Sequence, residues 1–169
     1  MRVQTRRQLK WLCYLLLIFL CYLFQTMPRF LTFGQAKPVW LVAVCCVIAV
    51  FEQPLSAGVI GMFCGLLYDI AADSLFGLNG ALFLLLGAGV SLFVTYLLRQ
   101  RLTVALSVTA CSALIVLLIG YLLYYVIWGY VDKATFWFRL IPNLFLTVAA
   151  VLPLYPLIRA LAVRWFPER

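Results

Sequence analysis

PVWLVAVCCVIAVFEQPLSAGVIGMFCGLLYD, residues 38–69, holds two apolar runs on either side of the tripeptide Glu52-Gln53-Pro54. The first run is Val39 to Phe51 and the second runs from Leu55 to about Ala71. Proline restricts the residue before it and interrupts a helix, so the tripeptide reads as a turn. At ~1.5 Å per residue the first run covers only ~20 Å, against a hydrocarbon core of ~30 Å. Two geometries satisfy that length: a pair of short membrane spans, or a hairpin that dips into the bilayer and returns.

The whole chain carries the same signature. Of its 169 residues, 67% are hydrophobic and only 11% charged, against about 45–50% and about 25% in soluble domains. There is too little polar surface to cover a water-soluble core, so an integral membrane protein with several spans is expected. The formal charge of +8 fits basic cytoplasmic flanks. No basic stripe interleaved with exposed aromatics points to nucleic acid. Cys13, Cys21, Cys45, Cys46, Cys64 and Cys111 all lie within apolar runs and form no C-x-x-C pair. They read as small packing residues.

Six apolar runs appear: 11–27, 39–51, 55–71, 80–98, 102–130 and 136–163, with the second and third short. The expected fold is therefore an all-α polytopic bundle of six transmembrane segments in a single membrane domain spanning residues 1–169. The basic stretch MRVQTRRQLK precedes a long first run with no small-residue cleavage site, so that run is read as retained. With six segments and a cytoplasmic N-terminus, Arg2, Arg6, Arg7, Lys10, Arg99, Arg101, Arg159, Arg164 and Arg169 fall inside. Arg29, Lys37, Lys133 and Arg139 fall outside. Fusing the second and third runs into one span divides the charges almost evenly, so the positive-inside rule favours six. A re-entrant hairpin has the same parity. Both termini are placed in the cytoplasm and every connection is short.

Several residues stand out from the apolar background. Gly58, Gly61 and Gly65 line the third run, and small residues four apart let a neighbouring backbone approach. That face suits a partner contact or packing within the protein's own bundle. Asp69, next to Tyr68, ends the run, and a carboxylate there faces protein or water because lipid would be costly. It would bind a cation or a partner's basic group, cap a helix, or pair with Arg29, Lys37 or Arg139. Asp73 begins a loop-like stretch and reads as solvated. Gly77 suits a turn and Asn79 a helix cap. Gly87 with Ser91, and Ala105, Thr109 and Ala113, repeat the small spacing, so the third to fifth spans should pack closely. Pro142, Pro153 and Pro156 interrupt the last run. The preferred reading is a kinked span ending near Leu152, followed by an interfacial tail carrying Arg159, Arg164 and Trp165.

No catalytic constellation is found. The chain has no histidine, no nucleophile elbow and no phosphate loop. No enzyme activity, cofactor or metal is expected.

In layout the chain resembles the rod shape-determining protein MreD family. The resemblance rests on the proline-led second span, the glycine-rich third span ending in Gly65-Leu66-Leu67-Tyr68-Asp69, and Phe76-Gly77-Leu78-Asn79-Gly80 before a leucine-rich fourth span. It is most specific from Gly58 to about Leu85. It implies a non-catalytic subunit of the bacterial elongation machinery in the cytoplasmic membrane. The implied partner is MreC, with RodA, a class B penicillin-binding protein and MreB in the same assembly, acting in lateral-wall peptidoglycan synthesis and cell shape. Gly58, Gly61, Gly65, Tyr68, Asp69, Gly77 and Asn79 would serve partner binding or helix packing. The family is also similar in fold to the substrate-binding S-components of energy-coupling-factor transporters. That makes a vitamin-binding subunit the alternative, although the first span lacks the alanines such subunits use for docking.

Overall fold

In the computed structural model of the chain, residues 2–27, 38–72, 77–97, 101–128 and 133–165 are described. They form helices α1 (Arg2–Thr26), α2 (Trp40–Phe51), α3 (Pro54–Ala72), α4 (Leu78–Leu97), α5 (Leu102–Trp128) and α6 (Lys133–Arg159). A π-helical turn, Ala160–Trp165, extends α6. Five of the helices carry apolar stretches long enough to cross a membrane, and α2 is shorter. The described residues contain no strand. Expectations attached to Arg29, Lys37, Asp73, Phe76, Arg99 and Arg169 fall outside the described residues, as do the side chains of Arg2, Arg6, Arg7, Lys133, Arg139, Arg164 and Trp165.

The centre is α2, which packs against all five other helices. Every residue from Leu41 to Phe51 is buried. Its sequence, WLVAVCCVIAVF, has no polar face, and a helix apolar all round is suited to burial on all sides. Ala43, Cys45, Cys46 and Ala49 keep it slim enough for neighbours to close around it.

A short helix inside a bilayer exposes its terminal backbone groups to a medium without water, where each unsatisfied one costs several kcal/mol (on the order of 2–7). Other helices supply the missing partners. The Val39 N–H donates to Thr147 Oγ1 of α6 (3.0 Å), and the Leu41 N–H donates to Gln25 Oε1 of α1 (3.2 Å). At the other end the Glu52 N–H closes on the Ile48 carbonyl (3.0 Å). The Ser91 hydroxyl of α4 donates to the Glu52 carbonyl.

Two expectations are corrected. The third apolar segment is not short: α3 runs 19 residues from Pro54 to Ala72. Proline is tolerated at the first helical position, where its missing N–H has no partner to lose. The helix also continues through Asp69, because that carboxylate is satisfied inside the protein. Nor does the last helix end near Leu152. Helix α6 continues past three prolines to Arg159, and Leu154, Tyr155 and Ile158 are part of the core. Pro153 and Pro156 lie on the exposed side while those three residues turn inward. Tyr155 packs against Phe51 of α2, ring centroids 5.6 Å apart.

Candidate functional site

Two polar clusters and one glycine seam interrupt this apolar interior. The seam joins α3 to α4. A Cβ placed at Gly61 would land on the Phe83 carbonyl, and one at Gly65 on the Asn79 carbonyl. From the other side, a Cβ at Gly87 would strike the Ala57 carbonyl. The two backbones touch at those points, and only hydrogen fits between them. Gly58 is less confined, since its Cβ would meet Ala88 Cβ at 3.4 Å, an ordinary contact. Tyr68 stacks at a tilt on Phe83, centroids 5.7 Å apart.

The first polar cluster closes the far end of this hairpin. Asp69 is 2% exposed. Its Oδ2 accepts the Gly77 N–H (2.8 Å) and its Oδ1 accepts the Asn79 Nδ2 (2.7 Å). Gly77 has φ of +96°, in the left-handed region where a Cβ is unfavourable. Its carbonyl accepts the Ala81 N–H (3.0 Å), which makes Gly77 the residue that caps the start of α4. Asn79 lies within the first turn of α4, and its amide reaches across to Asp69. The carboxylate thus ties the last turn of α3 to the first turn of α4.

Asp69→Asn replaces one acceptor oxygen with a donor that faces either the Gly77 N–H or the Asn79 amide. The expected loss is about 1–3 kcal/mol, the cost of a buried donor left without an acceptor. Unfolding of the purified protein in a mixed-micelle titration would measure it. Stability equal to the wild type would show that the carboxylate is not needed to close the turn.

The second cluster sits at the opposite end of α3. Lys10 Nζ lies 2.7 Å from Glu52 Oε1, and the two side chains are 8% and 11% exposed. The Tyr14 hydroxyl donates to the same oxygen (2.9 Å). The ammonium also lies 5.9 Å from the centre of the Tyr14 ring, within the range of a cation–π attraction. Glu52 therefore binds α1 through its side chain and α4 through its backbone, while sitting in the α2–α3 turn. Gln25, which caps the other end of α2, is near the end of the apolar stretch of α1. Glu52 lies one α2 length away, about 18 Å. A carboxylate so deeply buried needs a counter-ion, and Lys10 supplies it.

Sequence reading places Lys10 among the basic flanking residues and Glu52 in a turn. Nothing in the linear sequence pairs them across the whole of the first span and loop. The one available signal is an acid flanked by long apolar runs, for which a partner must exist somewhere.

The chain matches the profile described as rod shape-determining protein MreD over residues 5–164. That range takes in both polar clusters, the glycine seam and nearly the whole of the helical bundle. The chain belongs to the MreD family. No curated protein and no solved structure matches it. As an MreD family member it is a multi-pass membrane protein of the rod shape-determining kind. In this MreD family chain the polar residues of both clusters bind one another, and four of the cysteines, Cys21, Cys45, Cys46 and Cys64, are buried as free thiols within the packed helices.

Proposed function

We propose that this chain is a non-catalytic membrane subunit of the bacterial rod complex, supporting cell shape and lateral-wall peptidoglycan synthesis by binding MreC. RodA, a class B penicillin-binding protein and MreB would share the assembly. The observation that carries the proposal is the family match over residues 5–164. The arrangement of the side chains agrees with a scaffold: its buried polar groups hold helices to one another. We place it in the cytoplasmic membrane with both termini in the cytoplasm, on the strength of the basic excess at the end that carries Lys10. No observation favours the vitamin-binding alternative.

In this reading Gly58, Gly61, Gly65, Tyr68, Asp69, Gly77 and Asn79 act together. They fix the α3–α4 hairpin, whose outer turn between Asp69 and Asn79 is offered to MreC. The test is a tagged pull-down from native membranes in mild detergent, with mass spectrometry of the co-purifying proteins. Recovery of MreC, RodA or a penicillin-binding protein is expected, and so is weaker MreC recovery with Gly65→Leu at equal membrane abundance. Recovery of a transport scaffold with paired ATPases would overturn the proposal. Full MreC recovery with both Gly61→Leu and Gly65→Leu would remove the hairpin from the docking face.

A further inference from the structure

The end of the bundle that holds Lys10 and Glu52 carries more positive charge than its described acids can neutralise. Glu52 is the acid described there, and Lys10 and Tyr14 already occupy it. Arg101 and Arg159 are both exposed, and neither forms an ion pair with a described residue. Their positions are linked by the fold. Arg101 directly precedes α5 and Arg159 is the last residue of α6; each helix is 27 residues long. The two helices are separated by residues 129–132 alone and pack along one another. Equal lengths and so short a connection bring the start of α5 back level with the end of α6. Axes of packed helices lie about 8–10 Å apart, a gap over which two arginine side chains can converge on one phosphodiester. Two turns before Arg159, on the same side of α6, Leu152 presents an exposed apolar surface on which an acyl chain can lie.

We propose that Arg101 and Arg159 form a headgroup site for an anionic phospholipid between the start of α5 and the end of α6. Guanidinium groups bind phosphate oxygens through paired hydrogen bonds, which a zwitterionic headgroup weakens with its own cation. The site differs from the general basic excess of the chain in being a matched pair where the start of α5 meets the end of α6. Its existence does not depend on the MreC proposal or on which leaflet the end faces.

Native mass spectrometry of the full chain in detergent tests it, with dioleoyl phosphatidylglycerol and dioleoyl phosphatidylcholine added at equal concentration. The wild type should retain phosphatidylglycerol preferentially. Each arginine replaced by glutamine should reduce that retention about five-fold, the size of one basic side chain's attraction to an anionic membrane surface. The charge-matched control is Arg6→Gln with Arg7→Gln, which removes the same charge elsewhere and should keep the preference. Equal retention of the two lipids by the wild type, a comparison that needs no variant, would overturn the proposal. So would equal losses in the two double variants, or no loss in Arg101→Gln with Arg159→Gln.

Discussion

Gly65→Ala, the smallest possible side-chain addition, will destabilise this protein by about 1–3 kcal/mol, and Gly65→Leu by more. The added carbon lands on the Asn79 carbonyl and beside the Gly80 backbone, and backbone cannot rotate aside as a flexible side chain would. The hairpin must open, which strains the Asp69 closure at its outer turn. Gly61→Ala meets the Phe83 carbonyl in the same way. Gly89→Ala and Gly120→Ala are the controls. A Cβ at either meets nothing within 4 Å, and alanine's better helix propensity makes these changes neutral or stabilising by up to about 1 kcal/mol. Reversible unfolding in mixed micelles separates the two pairs. If Gly65→Ala unfolds at the same point as Gly89→Ala, α3 and α4 are not in backbone contact.

Lys10→Met should cost about 3–5 kcal/mol, because it leaves a buried carboxylate without its counter-ion. Glu52→Gln should be costly too, since the ammonium then has only a neutral oxygen opposite it. The double variant, Lys10→Met with Glu52→Gln, removes both charges and keeps an oxygen to accept the Tyr14 hydroxyl proton. It should recover most of the loss, because a buried pair is expensive to break and cheap to remove whole. The same unfolding titration, run as a double-mutant cycle, gives the coupling directly. Additive losses would show that the two charges do not depend on each other. A neutral Lys10→Met would mean that water reaches Glu52.

Much of the architecture is legible in the chain because lipid imposes it. Apolar runs bounded by charges and prolines mark the helices, since a backbone in hydrocarbon must satisfy its own hydrogen bonds. The spacing of Gly61 and Gly65 marks a close approach, because residues four apart share one helix face. What they approach is not legible: any helix with a small face opposite would serve, and only the folded chain shows it to be α4. Asp69 reads as a residue that must have a partner. Two of its partners, Gly77 and Asn79, are local, yet that they reach it depends on the path of the turn.

The sequence by itself determined that this is a helical membrane protein, roughly where each helix lies, and which residues break the apolar pattern. Those follow from local composition and from the cost of bare polar groups in lipid. The tertiary structure alone decided that α2 is the centre, that α6 runs on past its prolines, and that Lys10 neutralises Glu52. A helix apolar on every face has no polar side to show which way it points, so its surroundings cannot be inferred from its own residues. An ion pair between Lys10 and Glu52 is a property of two segments brought together by packing, and it exists only once α1 lies against α2.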